Sequence, residues 1–373
     1  MKKALLGAAT LSFAAGATFA GGLDRSGQGI NIIFEEGTVA QFGLSYVSPD
    51  LSGSYAGTSS GDIGKSYTLP HLSYKTQFND TLDFALIYDQ PYGAHVNYAS
   101  SYALSINPVD LTGTYNLRAE AETHALTALL RQRLSHGLSV YGGLRLQSVD
   151  TSVSVPAVVG YNIESDSPTD LGYIVGIAWE KPEIAARVAL TYNSSIKQTL
   201  NVRETNSLGT DAPSAVGIET PQSVNLDFQT GVAPDTLLFG TVRWVNWSNF
   251  DYSPPVYMAS TGLSLVDYSN DAITYTLGVG HRFSDAFSGA IQLGYEQSEG
   301  NLVSNLGPTD GFWSLGVGGT YTRRNVQYSA GVRYIDIGDA VTKIRRAPGA
   351  TFSDNTGWAA GFQITYHFDK TGS

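Results

Sequence analysis

The chain is 373 residues long, has no cysteine, and is poor in charge: Asp, Glu, Lys and Arg make up 15%, against about 25% in an ordinary soluble domain. Disulfides, thiolate metal sites and cysteine nucleophiles are therefore excluded, and a formal net charge of −11 argues against nucleic acid as a partner. The mean hydropathy of −0.08 is uninformative if apolar and polar residues alternate and cancel.

Residues 1–20 carry Lys2 and Lys3 ahead of an apolar run, "ALLGAATLSFAAGATFA", that closes on small residues around Thr18 and Ala20. This is the pattern of a secretory signal peptide cleaved after Ala20. Its removal leaves 20 basic against 33 acidic residues, a net charge of about −13. Residues 21–37 follow, with the apolar "INIIF" and the acidic pair Glu35 and Glu36.

From residue 38 the period becomes two. Alternating segments fall at 38–47, 69–78, 82–90, 118–134, 138–149, 171–180, 184–198, 222–233, 236–250, 269–283, 286–298, 311–323, 326–338 and 357–368. Short connections with turn chemistry, such as Asn79-Asp80, Pro234-Asp235 and Ser284-Asp285, alternate with long ones. No hydrophobic helix accounts for residence in a membrane. The pattern predicts an all-β fold, a transmembrane antiparallel up-and-down β-barrel of about 14 strands over 38–368. Residues 21–37 are then expected inside it as a short N-terminal plug, and 369–373 as a periplasmic tail.

Parity assigns the faces. Leu171, Tyr173, Val175, Ile177 and Trp179 form one lipid-facing row, and Ile273, Tyr275, Leu277 and Val279 another. Trp179, Trp244, Trp247, Trp313 and Trp358 are expected toward strand ends, where amphipathic rings favour the interfaces. Phe368 ends the row Phe362, Ile364, Tyr366 and is the expected membrane-insertion signal, read by the barrel assembly machinery. The lumen receives Lys75, Arg131, Arg145, Arg187, Arg243, Arg282 and Arg333 against fewer acids, among them Asp83, Asp227 and Glu296. Such a wall can hold a carboxylate by charge-assisted hydrogen bonds, or its arginines can pair with acids or with the plug. Arg145, Arg187 and Arg333 are the candidates for ligand contact.

Pro91 follows Leu82, Phe84, Leu86 and Tyr88 and lacks the donor that strand pairing needs. It either opens the ladder or ends the strand above the membrane. Enzymatic signals are weak. Gly57-Thr58-Ser59-Ser60-Gly61 fits GxSxG but lies in a Gly/Ser loop instead of a strand-to-helix elbow, and the six histidines are scattered without metal-ligand spacing. No catalytic residue, metal or cofactor is expected.

Several segments resemble the FadL/TodX family of outer-membrane transporters for long-chain fatty acids and other hydrophobic compounds. "AQFGLSYVSPDLSG" is similar to that family's first strand and loop, "PHLSYKTQFNDTLDFALIYDQPYG" to its second and third strands, "ALTYNSSIK" to its seventh, "RWVNWSNF" to its ninth and "DGFWSLGVGGTY" to its twelfth. The resemblance implies a monomeric 14-stranded barrel in a Gram-negative outer membrane, among outer-membrane lipids. It implies a hydrophobic ligand such as a fatty acid, released sideways into the bilayer where the third strand is interrupted. Gln90, Pro91 and Gly93 are the matching positions for that lateral opening. The family's longer plug with its Asn-Pro-Ala motif has no counterpart here. A general diffusion porin and an outer-membrane lipolytic enzyme are the alternative functions.

Overall fold

The computed structural model describes residues 23–368. The expected signal peptide, residues 21 and 22 and the tail 369–373 lie outside the described residues. Fourteen antiparallel strands close into a barrel. They are β1 (Thr38–Asp50), β2 (Tyr67–Gln77), β3 (Leu82–Asp89), β4 (Arg118–Arg133), β5 (Leu138–Val155), β6 (Thr169–Lys181) and β7 (Ala186–Asn193). The other seven are β8 (Ser223–Ala233), β9 (Thr236–Val245), β10 (Ala272–Arg282), β11 (Phe287–Glu296), β12 (Phe312–Arg323), β13 (Val326–Ile337) and β14 (Asn355–Phe368). Closure is made by β1, which pairs with β2 on one edge and β14 on the other, with Thr38 opposite Phe368.

The outward face follows the expected parity. Leu171, Tyr173, Val175, Ile177 and Trp179 are all exposed on the outside of β6, and Ile273, Tyr275, Leu277 and Val279 on β10. Such an outward row of large apolar side chains suits hydrocarbon, not water.

Three strand ends differ most from expectation. β7 stops at Asn193, where the polar Asn193-Ser194-Ser195 breaks the alternation, and the chain then enters a hairpin of Ile196–Thr205 with Asp211–Thr220. β5 runs on to Val155, and its extension pairs with Tyr161–Ser165, which in turn pairs with Ile196–Thr205. β9 ends at Val245, and Trp247–Asn249 form a 3-10 turn. Trp247 is therefore a correction: its ring is 1% exposed, inside the loops, not at the lipid interface. There it packs edge-on to Tyr92 and Phe250, with centroids 5.4 and 5.8 Å away.

Two interior clusters occupy opposite ends of the lumen. The larger, formed by the long loops, includes Leu51, Ile63, Tyr98, Tyr102, Trp247 and Phe352. The smaller, beside the short turns, includes Ile32, Ile33, Phe34, Leu129, Tyr141 and Ile174.

Candidate functional site

The wall is complete except at one place. β2 pairs with β1 from Lys75 opposite Val39 to Tyr67 opposite Val47. Its other edge pairs with β3 only from Gln77 opposite Asp83 to Leu72 opposite Tyr88. Residues 67–71 thus have no strand partner on that side among the described residues. Pro91 supplies the cause, since it has no N–H for the ladder. Residues 90–92 bulge: Asp89 lies opposite Ala125 and Gly93 opposite Glu122, so four steps on one strand meet three on its neighbour. Beyond the bulge Gly93–Asn97 remain on β4, but their free edge turns inward. Gly93 N–H donates to the Leu23 carbonyl at 2.8 Å, Arg25 N–H to the Pro91 carbonyl at 2.8 Å, and Asn97 N–H to the Ile63 carbonyl at 3.0 Å. A gap is left between residues 67–71 and the bulge.

The N-terminal segment stands behind this gap and latches it to the far wall. The Arg25 guanidinium lies 4.1 Å from the centroid of the Tyr67 ring. Glycine is required at 93 for this approach, because a Cβ there would sit 2.4 Å from Arg25 Cζ. Burial pulls the Arg25 guanidinium below its ordinary value, opposed by Tyr67, Glu122 and Glu120. Ser26 Oγ donates to Asp89 Oδ2 at 2.5 Å. On the opposite side Asp24 Oδ2 accepts from Arg243 Nε at 2.6 Å, with both side chains buried. Arg243 also donates to Asn225 Oδ1 at 2.8 Å and to Gln28 Oε1 at 3.2 Å, while Asn225 Nδ2 reaches the Gly27 carbonyl at 2.9 Å. Residues 24–28 therefore tie β2 and β3 to β8 and β9 through polar contacts.

Below the latch the same segment becomes an apolar knob. A 3-10 turn, Asn31–Phe34, buries Ile32, Ile33 and Phe34. The guanidiniums of Arg131 and Arg187 lie 4.7 and 4.5 Å from the Phe34 ring centroid, and Tyr141 meets that ring edge-on at 5.7 Å. Charges nearby are matched: Asp83 accepts from Lys75 at 2.8 Å and from Arg133 at 2.9 Å, and Arg131 pairs with Glu180. Glu35 is half-buried, and burial pushes its carboxyl up to about 7 against the opposing pull of Arg187 and Lys75.

Arg145, Arg187 and Arg333 do not share one place. Arg145 is buried and donates to Thr127 Oγ1 at 2.9 Å and Asn193 Oδ1 at 3.2 Å. Arg187 serves the knob, donating to Asn31 Oδ1 at 3.3 Å. Along β6 the residue opposite Arg145 is Gly172 and the one opposite Arg187 is Glu180, a separation of about 26 Å for an extended strand. Arg333 is on β13 and donates to Gln292 Oε1 at 2.8 Å.

Two cavities lie among the loops, and the inner one reaches the bulge at Gly93. The outer one, about 320 Å³, lies among the long loops at the rim of β9–β11 and is lined by Trp247, Tyr268 and several acids. The inner one, about 40 Å³, is lined by Leu23, Tyr92, Gly93, Trp247, Phe250 and Tyr252 among others, with no charged side chain. Trp247 is a wall of both. Sequence reasoning placed Gln90, Pro91 and Gly93 at the break but missed Trp247 and residues 24–28. Ser59 of the GxSxG match sits on a two-residue strand, Thr58–Ser59, in a loop hairpin, where its Oγ accepts from Gly61 N–H at 3.1 Å.

No family sequence model matches this chain, and no curated protein matches it in sequence. Solved structures do match in fold. A Pseudomonas aeruginosa FadL homologue superposes with a TM-score of 0.75 at 15% identity, over 96% of this chain and 98% of that one. The Pseudomonas putida toluene transporter TodX gives 0.67 at 12% identity over 95% and 98%. The Ralstonia pickettii toluene transporter TbuX gives 0.63 at 13% over 89% and 90%. The fold is thus that of FadL- and TodX-type barrels.

Proposed function

From a barrel of this fold, we propose passive uptake of hydrophobic molecules across the outer membrane of a Gram-negative bacterium, with exit sideways between β2 and β3. The observation that carries the reading is that an uncharged cavity ends at Gly93, beside the only stretch of β2 whose edge lacks a strand neighbour. An apolar solute there meets lipid without first crossing water. The alternative path, through the periplasmic end, is filled by the knob of residues 30–34. At about 40 Å³ the inner cavity is far below the roughly 300 Å³ of an ordinary ligand site, so passage requires Leu23 and the latch to shift. For a fatty acid, Arg145, Arg187 and Arg333 are the positions that would hold a carboxylate. Arg145→Gln would then slow uptake of fatty acid but not of hydrocarbon.

Deleting Pro91 tests the exit. The bulge contains one residue too many, so its removal brings Gly93 into the register that Asp89 holds against Ala125 and lets β3 run on as a regular strand. Uptake into proteoliposomes or cells is expected to fall at least tenfold while binding to purified protein persists. Parental uptake with a normal amount of barrel would refute exit at this segment.

The same reading makes outer-membrane lipids and the barrel assembly machinery the partners of a monomeric barrel, with Phe368 as the insertion signal. Phe368→Ser is expected to lower the amount of assembled barrel more than deletion of residues 369–373. The reverse order would contradict this role.

A further inference from the structure

Resting on the transport reading above, we infer that the solute is a neutral hydrophobe bearing a hydroxyl group, of the phenol or medium-chain alcohol type, and not a carboxylate. Three features of the path point to this chemistry. First, the outer cavity is lined by Asp267, Asp271, Glu296, Glu299 and Asp310, and by no Lys, Arg or His. Asp267 has an ion-pair partner in Lys343 at 2.7 Å, but the lining as a whole is anionic and repels an approaching carboxylate. Second, the inner cavity has no charged wall at all. An ammonium that the outer cavity tolerates would lose its hydration there without a counter-ion, so cationic amphiphiles are rejected one step later.

Third, the polar atoms left over along the path are complementary to a hydroxyl. Trp247 is 1% exposed and lines both cavities, and its Nε1–H has no hydrogen-bond partner among the described residues. At the gap the buried acceptors Asp89 Oδ1 and Gln90 Oε1 likewise lack hydrogen-bond partners among those residues. Trp247 Nε1 is a donor only, and Asp89 Oδ1 and Gln90 Oε1 are acceptors only. A hydroxyl is both: once Leu23 and the latch shift, it can accept from the indole beside the inner cavity and donate to the carboxylate or amide oxygen beside the bulge. A hydrocarbon leaves all three unsatisfied, and a carboxylate satisfies the first while being repelled by the second pair. A site with polar groups aimed at a substrate hydroxyl discriminates strongly against the analogue that lacks it.

Four probes of one skeleton separate the possibilities: p-cresol, toluene, p-toluate and 4-methylbenzylamine. Each is measured by equilibrium dialysis against the full barrel in detergent micelles, with micelles alone subtracted, and by uptake into proteoliposomes. p-Cresol is expected to bind at least tenfold tighter than p-toluate and the amine, and several-fold tighter than toluene. Trp247→Phe keeps the ring but not the N–H, and should erase most of the preference for cresol over toluene. Gln90→Leu should reduce cresol flux without reducing toluene flux. Heat-modifiable gel mobility reports that each variant is folded. p-Toluate or the amine binding as tightly as cresol, or toluene doing so with no response to Trp247→Phe, overturns the head-group inference and leaves transport intact. Failure of all four probes to cross at rates above protein-free liposomes overturns the transport reading instead.

Discussion

Residues 23–37 are held in the lumen by two different kinds of chemistry. The latch, residues 24–28, is polar: a buried ion pair between Asp24 and Arg243, amides and hydroxyls, and a guanidinium on the Tyr67 ring. The knob, residues 30–34, is apolar, with Ile30, Ile32, Ile33 and Phe34 all buried. Burial of apolar area is non-directional and tolerates small displacements, whereas a buried ion pair is favourable only while its geometry holds. The knob is therefore suited to staying in place, and the latch to a cooperative release. The latch also lies beside the gap in the wall, and the knob at the other end of the lumen, beside the short turns.

The largest effect is expected from Asp24→Asn. It leaves the buried Arg243 guanidinium without its counter-charge, a change worth about 3–5 kcal/mol in buried pairs. Amides of residues 23–28 should exchange hydrogen far faster, while those of 30–34 remain protected. The double variant Asp24→Leu, Arg243→Met removes both charges and should recover most of that protection. Equal loss of protection in latch and knob would show that the two are one unit and that the contrast is false. A smaller effect is expected at the knob. Phe34→Leu keeps an apolar side chain but loses two cation–π contacts, each on the order of 1–2 kcal/mol in a buried site. Its mark should be a rise in small-solute leakage through planar bilayers, with the latch amides unchanged.

The barrel was legible in the sequence because a strand between lipid and water writes its environment into every second residue, as in Leu171 to Trp179. An irregularity at Pro91 was legible because a missing N–H needs no tertiary context to be recognised, but whether it opened the ladder or ended the strand was not. The latch was not. Asp24 and Arg243 are 219 residues apart in sequence, and the polar run that contains Asp24 has no period to mark which wall it meets. Trp247 misled for a different reason. An amphipathic ring just past a strand end suits the membrane interface and a loop core equally, and only the 3-10 turn at Trp247–Asn249 decides between them. Arg187 was recognised as a lumen residue, but its engagement with Phe34 depends on where the knob docks, which strand parity does not reveal.

The smallest effect, and the one that most sharply separates knob from latch, is a dependence on pH. Burial raises the Glu35 carboxyl from an ordinary value of 4.5 to about 7, while Arg187 and Lys75 pull it down and neighbouring Glu36 adds to the rise. The docked segment therefore holds a proton that the undocked one would release. Linkage fixes the sign: docking is unpenalised below pH 4.5, weakens as pH rises from there through about 7, and is constant above. Because Glu35 is half-buried, water screens part of this effect. Leakage through planar bilayers should increase over that window, and Glu35→Gln, neutral at every pH, should flatten the curve at its acidic level. The latch has no part in this titration, so Asp24→Asn should leave the midpoint of the leakage curve unchanged. An unchanged midpoint in Glu35→Gln would mean that another group titrates at the knob.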